Sequence, residues 1–184
     1  MKWYTFNDSS ESSTVNVILD HNTTAGLAWN TDGDYGTNVS YEESNIKPEV
    51  DKLVIESGWV DTPRLISAEE IAQITGNTSW TNTGSWFCLD TNQSDSTNYC
   101  AKSQGTSKYA WLFDYTYGCT SYGCNVADSN SNLYGYWTST TYGTAGSGIR
   151  VWDVFRYSDL TMPYASLTSR GVRPVITIPK SRLS

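Results

Sequence analysis

Two carboxyl groups facing each other across a cleft can hydrolyse a glycosidic bond without any cofactor, one protonating the leaving oxygen while the other activates water or attacks. Asp114, Asp128, Asp153 and Asp159 each stand among aromatic residues that would suit a sugar ring. No spacing in the sequence pairs any two of them, so they read either as such a pair or as solvated loop carboxylates. The single histidine, His21, ends a strand-like run in "ILDHNTT". One imidazole cannot build a polyhistidine metal site, and at a strand end it reads as a turn or surface residue. "NTDGDYGTN", around Asp32 and Asp34, offers oxygen ligands of the kind calcium takes. It lacks the spacing and the closing bidentate Glu of an EF-hand, and reads as a turn. No GxSxG, HExxH, P-loop or GxGxxG occurs. The residues therefore predict no enzyme, no cofactor and no metal.

Cysteine is the other reactive side chain. Cys88, Cys100, Cys119 and Cys124 are even in number, and their spacings do not match paired CxxC zinc ligands. The simplest pairing is two local disulfides, Cys88 to Cys100 and Cys119 to Cys124, in an oxidising, extracellular setting. The alternative is a set of free buried thiols. N-x-S/T triplets at Asn22, Asn38, Asn77 and Asn92 are what a chain rich in Asn, Ser and Thr produces by chance, and matter only in a glycosylating host.

The elements that must position these groups are short. At 184 residues the chain suits one domain, here taken as 1–184, with a real core. Aromatics at 14% against charged residues at 17% favour a rigid body over a disordered tail. A net charge of −7 without a basic cluster argues against nucleic acid, and no apolar run reaches membrane-spanning length. "KWYTF" and "STVNVILD" predict a hairpin-like pair, and "AGLAWN" a third strand. Ile46, Val50, Leu53 and Val54 share a helical face that Gly58 can end. In "RLISAEEIAQITG", Ser67 and Glu70 form a capping box and Gly76 supplies a stop, predicting a helix near 68–75. Residues 77–132 lose periodicity and hold the cysteines. "LYGYWTST", "GIRVWDVFRY" and "GVRPVITI" return to strand patterning. Strands at both ends with helices between them predict an α+β domain whose termini meet in one sheet.

"YGYWTST … IRVWDVFRY … GVRPVITI" resembles the C-type-lectin-like fold, in the branch shared by formylglycine-generating enzymes and the variable proteins of diversity-generating retroelements. The variety it is most similar to is the ectodomain of prepilin-like or surface proteins of gut Gram-positive bacteria, with "RLISAEEIAQITG" and "WLFDYTYGCTSYGC" adding to the likeness. That resemblance implies short mixed or antiparallel sheets, two helices and a long disulfide-stapled loop insertion. It implies that Tyr136 to Thr140 open the terminal sheet, that Trp152 is an inward anchor, and that Gly171 to Ile176 close it. No cysteine follows Cys124, so the formylglycine chemistry does not carry over. Trp152-Asp153 lacks the companion motifs of calcium-dependent sugar binding.

In the diversified members of that branch the ligand face lies near the C-terminus, between constant scaffold strands. Strand alternation puts Trp152 and Val154 on one face of "VWDVFRYSD" and Asp153, Phe155, Tyr157 and Asp159 on the other. The second row is either a solvent-side ligand surface or a face covered by the cysteine-bearing insertion. Mutagenesis of adenines in AAY codons cannot yield Trp, Lys, Glu, Gln or Met, and residues 153–170 hold only Met162 of these. The expected ligand residues are Asp153, Phe155, Arg156, Tyr157, Asp159, Thr161, Pro163, Tyr164 and Ser166. The expectation is thus a surface-displayed binding or adhesion module, anchored through a segment preceding Met1, for a protein or glycan ligand on another cell or phage. A pilus or surface-fibre subunit contacting sister subunits is the second reading, and a carbohydrate-active enzyme using Asp pairs the third.

Overall fold

The computed structural model describes residues 3–23, 26–31, 40–57, 63–77, 80–83, 87–88, 109–113, 133, 135–142, 148–155 and 159–183. Val15, Val17 and Leu19 alternate with polar or inward residues as a pleated strand requires, and β2 (Thr14–Leu19) pairs antiparallel with β1 (Trp3–Phe6). On its other edge β2 pairs with β8 (Pro174–Pro179), matching Val15 to Ile178 and Val17 to Ile176. The two ends of the chain thus meet in one sheet as expected, with a two-residue β3 (Arg64–Leu65) completing the order β1-β2-β8-β3. A second four-stranded sheet has the order β4-β7-β6-β5, formed by Phe87–Cys88, Asp159–Thr161, Arg150–Phe155 and Gly135–Tyr142. All pairings between these strands are antiparallel.

Helix α1 (Lys47–Ser57) starts one residue after the expected Ile46, with Pro48 in its first turn, where a missing N–H costs nothing. Helix α2 (Ala68–Ile74) follows its sequence signal closely. Ser67 Oγ accepts from the Glu70 N–H at 3.1 Å, and the Glu70 carboxylate accepts from the Ser67 N–H at 2.9 Å. Gly76 takes the left-handed φ of 75° that ends such a helix cheaply. A single further turn, α3 (Ala110–Phe113), lies within "YAWLFDY". Gly58 and most of residues 77–132 lie outside the described residues. The fold is α+β, with short antiparallel sheets and, among the described residues, two helices longer than one turn.

Two apolar clusters sit on opposite faces of the second sheet. Tyr136, Trp152, Val154 and Leu160 face Ile18, Val175, Ile71 and Leu112, whereas Trp137 and Val151 face Trp29, Ile46, Val50 and Leu65. The sheet is therefore buried on both sides. "AGLAWN" does not form a strand. Residues 26–30 are irregular, and the N–H groups of Leu27 and Asn30 donate to the carbonyls of Arg170 and Ala165.

Candidate ligand-binding surface

The segment after β7 runs back along the second sheet as a narrow ribbon, residues 162–172, hydrogen-bonded along both edges. From one flank the N–H groups of Thr23, Leu27 and Asn30 donate to the carbonyls of Val172 (2.8 Å), Arg170 (2.8 Å) and Ala165 (3.1 Å). From the other, Val151 and Trp137 donate to Pro163 and Gly171 (3.1 Å each), and the ribbon returns Ala165 N–H to Ile149 (3.0 Å) and Gly171 N–H to Gly135 (2.9 Å). Packing is close. A Cβ at Gly26 would stand 1.6 Å from the Thr168 carbonyl oxygen, so only glycine admits the ribbon there.

Register fixes which side chains share a face, because directly opposed residues of an antiparallel pair point the same way. Asp153 opposes Thr161 and Trp137, and Phe155 opposes Asp159. The predicted row on β6 is real, but its exposure is not. Asp153, Asp159 and Thr161 are buried, at 0%, 2% and 7% exposure, and Phe155 is half-buried. The cover for Asp153 is the ribbon's own Arg170. Its Nε donates to Asp153 Oδ2, while Thr161 Oγ1 donates to Asp153 Oδ1. Arg170 Nη1 also donates to Ser169 Oγ at 2.8 Å, and its guanidinium lies 4.9 Å from the Phe155 ring centre. The solvent-side reading of Asp153, Asp159 and Thr161 is corrected accordingly. Two carboxylates that looked like loop acids are interior groups, and one neutralises a cation seventeen residues on. Arg156 and Tyr157 lie outside the described residues.

Tyr164 lies on the opposite face from Phe155. It bridges Arg150, whose guanidinium carbon stands 4.1 Å from the Tyr164 ring centre and whose Nη1 donates to the Met162 carbonyl at 3.1 Å. The ribbon's inward side chains are Met162, Ala165, Arg170 and Val172; Pro163, Tyr164, Ser166 and Ser169 are half-buried, and Leu167 (40%) and Thr168 are exposed. Of the nine expected ligand residues the ribbon thus leaves Pro163, Tyr164 and Ser166 partly exposed. It adds Leu167, Thr168 and Arg150, which sequence reasoning passed over. Leu167 was passed over because an isolated leucine reads as core. Arg150 gave no signal, since its contact with Tyr164 depends on the ribbon folding back.

A buried polar knot anchors the scaffold beneath. Arg173, fully buried, donates from Nε to the Leu19 carbonyl, from Nη1 to Leu112 (2.9 Å) and from Nη2 to Trp111 (2.6 Å). Tyr136 Oη donates to the same Leu112 carbonyl at 2.6 Å. Burial lowers the Arg173 pKa, with the Tyr136 hydroxyl and Asp20 opposing that shift. Burial likewise pushes the Tyr136 phenol up from 10.0 to about 12, against the pull of Arg173.

An acid whose folded pKa is raised contributes stability that is fully present below its unfolded pKa and is lost as pH climbs to the folded one. Between pH 10 and about 12, therefore, Tyr136 should drain stability from the wild type. Tyr136→Phe costs about 1 kcal/mol at neutral pH for the lost hydrogen bond. Its gap from wild type should narrow across that alkaline window, as urea midpoints measured against pH will show.

Asp20 and His21 are buried and hydrogen-bonded to each other through Oδ1 and Nδ1, so His21 is not a surface residue. Asn22 and Asn77 are buried, which removes them as glycan acceptors. Cys88 is buried and disulfide-bonded, while Cys100, Cys119 and Cys124 lie outside the described residues, as do Asp32, Asp34, Asp114 and Asp128. No group of three or more His, Cys, Asp or Glu gathers as metal ligands among the described residues. The chain matches no protein-family model, no curated protein and no solved structure.

Proposed function

We propose that this chain is a non-enzymatic ligand-binding module of C-type-lectin-like type, displayed at a cell surface, whose contact surface is the outer side of the 162–172 ribbon. The observation that carries this reading is the division of labour in the ribbon. Its backbone is tied along both edges to the sheet and to residues 23–30, while Pro163, Tyr164, Ser166, Leu167 and Thr168 keep access to solvent. Association costs free energy for every loop and side chain that must be ordered, so side chains carried on a fixed backbone bind at lower cost. Tyr and Ser are well suited to such a surface, the one a rigid amphipathic anchor and the other an adaptable hydrogen-bonding group. Changes in these side chains leave the ribbon's backbone bonds in place, which is what a diversified binding face needs.

Extracellular placement fits the Tyr-, Ser- and Thr-rich composition, and Cys88 to Cys100 remains the simplest pairing for the cysteine of β4. The ligand is a protein or glycan on another cell or phage. Screening the chain on protein and glycan arrays should yield hits whose affinity falls at least about tenfold in Tyr164→Ala and in Leu167→Ala, with the melting temperature little changed. Hits that bind both variants as well as wild type would show that the contact surface lies elsewhere.

A further inference from the structure

We infer that the Tyr164 end of this surface binds a carboxylate, that Arg150 receives it, and that the ligand there is a uronic-acid-bearing saccharide. This rests on the ribbon being the contact surface. The starting observation is electrostatic. In a chain of net charge −7, cations are expected to find acids, and among the described residues five do. Lys47 pairs with Asp51, Lys52 with Glu49, Arg64 with Glu70, Arg170 with Asp153 and Lys180 with Asp8. Arg173 is spent on three carbonyls in the interior, and Arg182 lies exposed in the last turn.

Arg150 is different. It is half-buried and held in place by the Tyr164 ring at 4.1 Å and the Met162 carbonyl at 3.1 Å, yet no described carboxylate lies within ion-pair distance. A guanidinium has five N–H donors in a fixed fork, and one here is committed to a carbonyl. The remainder match a carboxylate in the two-pronged geometry that an ammonium cannot reproduce. The side chain has already lost its freedom to the ring and the carbonyl, so binding an anion costs little further ordering.

The neighbours favour a sugar acid over an acidic protein. Beside Arg150 stand Tyr142, directly opposite it across the strands, and Tyr164; further along the ribbon come the hydroxyl-bearing Ser166, half-buried, and Thr168, exposed. One fixed cation flanked by tyrosines and followed by hydroxyls suits a carboxylated pyranose. Leu167 is the only large exposed apolar side chain on the ribbon, too little for the apolar centre that a stable protein interface needs.

The test titrates the full chain with methyl glucuronide and with methyl glucoside, following tyrosine ring and arginine Nε–H signals by NMR. The glucuronide should shift the Tyr164 and Arg150 signals, bind about tenfold more tightly than the glucoside, and weaken as salt is raised. Arg150→Gln should abolish the preference. If that variant fails to fold, Arg150→Lys, which keeps the charge without the fork, should reduce it severalfold. Equal binding of both sugars, no shift with either, or a preference untouched in the arginine variants would overturn the inference. An N-acetyl aspartyl peptide that binds as tightly as the glucuronide would overturn the sugar assignment. Array hits that depend on Tyr164 and Leu167 but carry no acid would leave the contact surface standing while refuting its anionic end. Hits indifferent to Tyr164 and Leu167 would refute the surface itself.

Discussion

Arg173→Met is expected to destabilise the protein by about 3–5 kcal/mol. The guanidinium satisfies carbonyls of Leu19, Trp111 and Leu112, which come from the end of β2 and from α3, and it does so from the residue just before β8. Methionine fills much of the volume but donates nothing. The Leu112 oxygen keeps its bond from Tyr136, whereas those of Leu19 and Trp111 lose the donor that Arg173 supplies. Arg173→Lys should recover less than half of the loss, because one ammonium cannot reach three oxygens arranged for a planar fork. Equilibrium urea denaturation of the two variants decides the matter. A loss below about 1 kcal/mol for Arg173→Met would mean that water replaces the guanidinium, and that the knot is not what ties α3 to the sheet.

The second large effect belongs to the Asp153–Arg170 pair, whose side chains are 0% and 7% exposed. Asp153→Leu strands a cation in the interior and leaves Thr161 without its acceptor, at a cost of about 3–5 kcal/mol. Arg170→Met strands the carboxylate and should cost a similar amount. The combination Asp153→Leu with Arg170→Met removes both charges, and should be more stable than either single change by about 2 kcal/mol or more. A double-mutant cycle in denaturant measures this coupling directly. Strict additivity of the two losses would show that the charges do not depend on each other. The same cycle bears on binding. Arg170 lies on the ribbon and Asp153 on the strand beneath it, so either single change should also weaken ligands that contact Tyr164, although neither residue touches that ring.

Much of the frame was legible in the residues. The capping box at Ser67 and Glu70, the helical face begun by Ile46 and Val50, and the pairing of an early strand with the last one all appear as read. These are local patterns, or patterns whose period alone decides the outcome. The period was also right for β6, where Asp153 and Phe155 do oppose Trp152 and Val154. Period states which residues share a face, however, and not which face meets water. When a carboxylate is neutralised by an arginine seventeen residues away, the polar row can be buried, and nothing near Asp153 in sequence announces it. "AGLAWN" misled for a related reason. Its alternation is strand-like, but its N–H groups at Leu27 and Asn30 serve the ribbon at an interval no regular ladder uses. Arg173 sits in a run that reads as plain strand, while its partners lie 154, 61 and 62 residues distant.

The antiparallel join of β2 to β8 carries a consequence for how the chain acquires its shape. Residues 14–18 wait for residues 175–179 before the central seam of the first sheet can form, and the Ser13 carbonyl waits for the Lys180 N–H. Contacts of such long sequence separation demand loop closure before they return any stabilisation, and they fold slowly. During synthesis the ribbon leaves the ribosome ahead of the last strand, while Thr23, Leu27 and Asn30, which bond it, follow directly on a strand whose seam is unfinished. The surface proposed to meet a ligand is therefore among the last parts of the molecule to become rigid, and on that proposal a nascent chain presents it only once β8 is in place.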